Sequence, residues 1–258
     1  MKRAFAILMT LVLAVTLFAG CATKETAQIK TAADLANKRI GVQEGTTGDE
    51  YVSDNIEGAI VSRYKKVTDI AMDLKNGKID AIVLDKMPAQ KIVEKNSDLK
   101  ILEEALTDEA YAIAVRKGNT ELLNSINQTL KKIQEDGTYD KLIAKFINGE
   151  DVDLPKIDEY TPDGKIVLGT NAEFEPFEYR DDKGDVVGFD IEIAKRIAAD
   201  LGKELVIDDM AFDSLIAALQ TGKVDFVVAG MSNTEERRQN VDFSDDYYIA
   251  SQVIIVKK

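Results

Sequence analysis

The sequence predicts an α/β protein of two similarly built lobes, and three features predict it. Short apolar runs alternate with amphipathic stretches along nearly the whole chain. A linker rich in turn residues divides that alternation in two. One αβ unit is echoed on both sides of the linker: IAMDLKNGKIDAIVL over 70–84 and LIAALQTGKVDFVVA over 215–229. In each copy a helix ends at Gly-Lys, an Asp follows, and a fully apolar run reads as a strand covered on both faces.

The elements follow in order. Residues 1–20 read as a secretory signal: Lys2 and Arg3, an apolar run to Phe18, then Ala19-Gly20-Cys21. The small-small-Cys ending marks Cys21 for lipidation, with an ordinary cleaved signal as the alternative. Cys21 is the single cysteine, so no internal disulfide can form and the fold rests on its apolar core. Residues 21–30 are a small polar tether. Strands are expected at 39–43, 59–63, 79–84, 100–102 and 111–115, with helices at 49–55, 68–76 and 87–95. A helical pair, 119–135 and 139–147, breaks at Asp136-Gly137. The linker over 148–165 carries Gly149, Pro155, Pro162 and Gly164. Beyond it, strands are expected at 166–170, 205–207, 224–229 and 248–256, and helices at 189–201 and 212–220. Such alternation gives mixed sheets flanked by helices.

Composition excludes several functions. With 33 basic and 46 acidic residues the net charge is −13, which argues against a nucleic-acid partner and against a polybasic membrane patch. Histidine is absent, so a Ser-His-Asp triad or a His-ligated metal is excluded. No Gly-Lys pair precedes Ser or Thr and no G-x-G-x-x-G occurs, so no nucleotide loop is expected. No cofactor is implied.

Three long stretches of the second half carry a family resemblance: LGTNAEFEPFEYRDDKGDVVGFDIEIAKRIAADLG (168–202), MAFDSLIAALQTGKVDFVVAGMSNTEERRQNVDFSDDYY (210–248) and SQVIIVKK (251–258). In the first half they are ADLANKRIGVQEGTTGDEYV (33–52), GKIDAIVLD (77–85) and YAIAVRKGNTELLNSINQTLKKIQEDGTYDKLIAKFING (111–149). Together they resemble the polar-amino-acid solute-binding proteins of ABC importers, extracellular family 3, with the type II periplasmic-binding-protein fold. In that family the stretch starting IVLGTN comes first, so the chain looks circularly permuted. The resemblance implies the family's second lobe at 31–110, a hinge strand and helices at 111–148, a new linker at 149–164, and the first lobe at 165–258. On that reading the last strand arrives at the hinge and stops. One covalent crossing between the lobes is then lost, the ligand-free lobes are loosened, and Lys258 lies beside the anchor near the hinge.

The family's ligand residues carry over one by one. Arg237 in NTEERR would grip the ligand carboxylate with its planar fork, unless it is a solvated helix arginine like Arg238. Asp85, ending the strand before the helix over 87–95, would pair with the ammonium, or else cap that helix. Ser232, Thr46 and Thr47 sit before helix starts, where capping and ligand contact are both open to them. Gly230 would offer its carbonyl. Phe174 and Phe212 would sandwich the aliphatic part of the ligand, or else be core. Asn171, Gln43 and Leu84 would face the side chain, while strand alternation turns Glu173 outward. These residues imply a polar L-amino acid captured by lobe closure and delivered to a membrane permease, by a lipid-anchored monomer. A sensing module for a membrane receptor, a dehydratase or lyase on the same fold, and a lobe-swapped dimer are the alternatives.

Overall fold

The structure is a computed structural model that describes residues 28–258, so the expected signal and Cys21 lie outside the described residues. Two five-stranded mixed sheets share one topology. The first has the order β2-β1-β3-β13-β4: β2 Ile60–Tyr64, β1 Arg39–Gln43, β3 Ala81–Asp85, β13 Gln252–Lys257 and β4 Leu99–Ile101. In the second the order is β10-β6-β11-β5-β12: β10 Glu204–Asp209, β6 Lys165–Thr170, β11 Phe226–Val227, β5 Glu109–Arg116 and β12 Val241–Ala250. In both, three parallel strands are followed by one antiparallel strand and an edge strand. A small sheet of β7 (Glu173–Phe174), β8 (Glu178–Arg180) and β9 (Val186–Val187) follows β6.

The echoed units fill equivalent places, β3 and β11, and the echo reaches one hydrogen bond. Arg39 N–H donates to Asp80 Oδ2 at 2.9 Å, and Val167 N–H donates to Asp225 Oδ2 at 2.8 Å. In each lobe the pairing with the echoed strand begins one residue later, at Ile40 or Leu168, and the Asp just before that strand accepts the hydrogen bond of the N–H left over.

The last strand departs from expectation. β13 does not stop at the hinge; it lies between β3 and β4 in the middle of the first sheet, buried from Gln252 to Val256. The lobe boundary therefore falls at Ser251, and residues 252–257 belong with the lobe of residues 31–110, the first in this chain's own order and called the first lobe from here on. The chain crosses between sheets twice, from β4 to β5 and from β12 to β13, and neither crossing is lost. Each crossing delivers the antiparallel strand of the other sheet, so two covalent connections join the lobes. Lys258 is correspondingly far from the hinge. Gln252 pairs Asp85 at the cleft, whereas Lys257 pairs Leu99 about 17 Å away along the strand. The first described residues lie on the same lobe, where Ile29 joins the core around β1, β3 and β13 and Ala32 N–H donates to Glu104.

Helices cover both sheets: α1 Thr47–Asn55, α2 Val67–Lys75 and α3 Lys86–Lys95 in the first lobe, then α4 Thr120–Glu135, α5 Thr138–Leu142, α6 Phe189–Asp200, α7 Leu215–Thr221 and α8 Glu235–Arg238. Expected helix 139–147 is α5 followed by a π turn, Ile143–Ile147. The linker is held on the second lobe. Pro155 C=O accepts from Arg196, Tyr160 Oη donates to Lys203 C=O, and Asp163 N–H donates to Gly202 C=O. Within the second lobe, Tyr111, Phe177, Phe189, Tyr247 and Tyr248 form an aromatic cluster with centroids 4.9–6.3 Å apart. Phe177 is fully buried at its centre and touches three of the others. Phe177→Ala is expected to destabilise the protein by about 3–5 kcal/mol, read as a fall in denaturant midpoint with unchanged slope.

Candidate functional site

The carboxyl ends of the parallel strands of both sheets face each other, which is where open α/β sheets place ligands. Nine residues converge there on a narrow, nearly closed cavity of about 10 Å³: Gln43, Thr46, Thr47 and Asp85 from the first lobe, Phe174, Phe212, Gly230, Ser232 and Arg237 from the second.

Arg237 sits in the one-turn helix α8, whose N-cap Thr234 accepts from the Arg237 N–H at 3.3 Å. Its side chain turns inward and is buried, unlike that of Arg238. Nη1 donates to Ser232 C=O at 2.9 Å and Nη2 to Gly45 C=O, across the cleft, at 3.0 Å. The guanidinium carbon lies 5.4 Å from the Phe212 ring centroid, a cation–π contact. Glu50 Oε1 is 3.7 Å from Nη2. Burial lowers the pKa of Arg237, and Glu50, Glu109 and Asp85 oppose that shift.

Asp85 ends β3 and occupies the N-cap position of α3, yet its side chain makes no capping bond. Instead it accepts from Tyr111 Oη at 2.5 Å. Burial first, then the nearby charge of Glu109, pushes its pKa up to about 7. The site thus holds a buried guanidinium from one lobe and a titratable carboxyl from the other.

The remaining candidates divide. Thr46 caps α1 through Asp49 N–H at 3.3 Å and donates to Gln43 C=O at 2.8 Å. Thr47 and Ser232 line the cavity with hydroxyls that both bond to Glu109. Asn171 does not line the cavity. It accepts from Gln43 Nε2 at 2.8 Å and donates to Met210 C=O, so the two amides close one wall across the cleft. Leu84 does not face the cavity either. Both faces of β3 are covered, and Leu84 is packed into the core. Glu173 turns to the rim and pairs with Lys66 at 3.0 Å.

Gly230 requires its residue type. Its φ is +51°, and a Cβ there would stand 2.7 Å from Phe174 Cε1. Its N–H donates to Asp190 Oδ2 at 2.8 Å, which also accepts from Tyr247 Oη at 2.8 Å. Burial raises the pKa of Asp190 to about 6 and that of its neighbour Glu178 well above the usual range. Gly230→Ala is expected to displace the Phe174 wall and weaken ligand binding at least tenfold, measured by calorimetric titration, while the far-UV spectrum stays unchanged.

Glu109, Tyr111 and Gln252 also serve the site, and sequence reasoning passed over them. The available signal was position: Glu109 and Gln252 open the two strands that cross between lobes.

The family model of bacterial extracellular solute-binding proteins, family 3, matches residues 50–149 and 166–258. The arginine-binding extracellular protein ArtP of Bacillus subtilis (strain 168) is 50% identical over 95 residues, 36% of this chain and 36% of its own. The L-cystine-binding protein TcyJ of Escherichia coli (strain K12) is 38% identical over 123 residues, 47% of this chain and 46% of its own. Each matched stretch therefore spans less than half of the relative's length. Among solved structures, an ancestral arginine-binding protein bound to arginine is 52% identical over 33% of this chain and 38% of its own, at a TM-score of 0.33. Among the described residues no helix is long and apolar enough to cross a membrane. With its two separated segments covered by one family model, the chain belongs to the bacterial extracellular solute-binding proteins, family 3.

Proposed function

We propose that this protein captures a free L-amino acid between its lobes and hands it to the permease of an ABC importer. The observation that carries the reading is the opposed pair in one cavity. Arg237 of the second lobe matches a carboxylate in shape and charge, and Asp85 of the first lobe, once ionised, matches an ammonium. An α-amino acid carries both groups on one carbon. A ligand that touches both lobes stabilises the closed arrangement by its differential affinity for it. Phe174 and Phe212 then flank the aliphatic part, and Thr46, Thr47, Ser232 and the Gly230 carbonyl supply the remaining polar contacts, with Gln43 and Asn171 behind them. The relatives are named for arginine, cystine and histidine, which supports a polar and often cationic ligand.

The role is binding rather than turnover, so the ligand is expected back unchanged from the complex. A thermal-shift screen of the twenty amino acids with cystine tests the proposal, since a ligand of the native state raises the midpoint by mass action. The expected result is a rise of several degrees for one or a few polar amino acids. No rise for any of them overturns the proposal.

The chain order is a circular permutation of the family's, with 149–164 as the new connection. Its support is that residues 29–32 and Lys258 both lie on the first lobe, while the linker runs along the second. We read the protein as a monomer, and a solution mass of twice the chain would favour the swapped dimer instead. Cys21 carries the lipid anchor, and Cys21→Ser is expected to release the protein from membranes into the soluble fraction.

A further inference from the structure

Glu109 opens β5 at the floor of the cleft, and its carboxylate holds hydroxyls of both lobes. Oε2 accepts from Thr47 Oγ1 at 2.7 Å and from Ser232 Oγ at 2.5 Å, and Oε1 accepts from Thr107 Oγ1 at 2.6 Å. Thr47 Oγ1 in turn accepts from Gln252 Nε2 at 3.0 Å. The bonds run unbroken from Gln252 through Thr47 and Glu109 to Ser232, joining the two crossing strands and both lobes.

The chemistry of this relay sets a direction. A carboxylate only accepts, whereas a hydroxyl has one proton to give and two lone pairs to offer. With its proton given to Glu109, the Ser232 hydroxyl presents only lone pairs to the cavity it lines. Thr47 spends its proton on Glu109 in the same way and one lone pair on Gln252. We propose that Glu109 is a specificity-determining residue that fixes the hydroxyls of Ser232 and Thr47 as acceptors, so that this side of the cavity selects the ligand's ammonium and refuses its carboxylate. Among the described residues Arg237 is then the only charged donor lining the cavity, and the ligand enters in one orientation. This inference rests on the amino-acid reading above and deepens it by naming what orients the ligand.

Glu109→Gln keeps the shape but lets the side chain donate. Its amide can give a proton to Ser232 and free the hydroxyl to turn its own proton toward the ligand. The test is a double-mutant cycle by calorimetric titration with L-arginine, L-histidine and L-cystine as probes, on wild type, E109Q, S232A and the double variant. For any probe that binds, E109Q is expected to weaken binding about tenfold in the wild type but less than threefold when Ser232 is already alanine. Its N-α-acetyl derivative, which lacks the ammonium, is expected to gain on the free amino acid by a similar factor in E109Q. Equal losses in both backgrounds, or an unchanged preference against the acetyl derivative, overturn the role of Glu109 and leave the amino-acid reading standing. If the wild type binds none of the probes, the amino-acid reading fails for them and this inference falls with it. Ligand-free melting of all four proteins reports folding separately, and a collapse of E109Q there, with binding restored by Glu109→Asp, supports the carboxylate's role.

Discussion

Arg237→Ala is expected to remove the amino-acid response while leaving a folded protein. Truncating one partner of a buried, hydrogen-bonded charge pair costs about 2–5 kcal/mol, roughly thirty- to several-thousand-fold in affinity. The upper part of that range is expected here, because the guanidinium is buried and already stacked on Phe212. Preorganisation of this kind means that little side-chain entropy is lost when a carboxylate arrives. Arg237→Lys keeps the charge but not the planar fork, so it should recover only a small part of the loss. Titration of the three proteins with L-arginine, alongside ligand-free melting, separates the two effects. Binding of the alanine variant within threefold of wild type would contradict the assignment.

Asp85→Asn is expected to abolish binding and at the same time stabilise the ligand-free protein at neutral to alkaline pH. Burial in the cleft raises the pKa of Asp85 to about 7, against an ordinary value of 3.8. The folded state therefore holds the proton more tightly than the unfolded chain, and stability falls as pH rises between those values. The penalty begins near pH 4 and is complete above about pH 8. Three pKa units correspond to at most about 4 kcal/mol. Asparagine keeps the acceptor for Tyr111 and has no proton to lose, so the variant should match wild type at pH 4 and exceed it at pH 8. Asp190 and Glu178 titrate in the same direction, and the comparison of the two proteins cancels them. The ligand reverses the sign. An ammonium needs the ionised carboxyl, so wild-type affinity should rise with pH, approaching tenfold per unit below 7 and levelling off above 8. Denaturation and titration at four pH values check both statements.

Much of this was legible in the residues, and the exceptions have physical causes. The alternation of runs and the echoed units were enough for two alike lobes, because buried parallel strands and capped helices leave strong local signals. The site residues that the structure brings to the cavity are those with distinctive chemistry at the ends of such elements: Arg237 inward from a one-turn helix, Asp85 at the end of a buried strand. The destination of β13 was not legible. An apolar run such as QVIIV reports burial on both faces but not which sheet supplies it. β12 was seen only at its end, because Asp242, Ser244, Asp245 and Asp246 interrupt its apolar pattern, and its break at Ser251 carries no turn residue beyond a serine. Leu84 misled for a related reason: in a strand covered on both faces, alternation does not say which residue reaches the cleft. Glu109 was invisible because an acid beside a strand start usually faces water, and only the partners brought from Thr47 and Ser232 give it work.

The paired assignment of Arg237 and Asp85 is the centre of the account, and a crystal structure with a bound amino acid tests it most directly. L-arginine is the first ligand to try. Its carboxylate is expected on the Arg237 guanidinium, its ammonium within hydrogen-bond distance of Asp85 and Ser232, and its aliphatic chain between Phe174 and Phe212. An amino acid bound elsewhere, or bound in the cleft with its two ends exchanged, would contradict it.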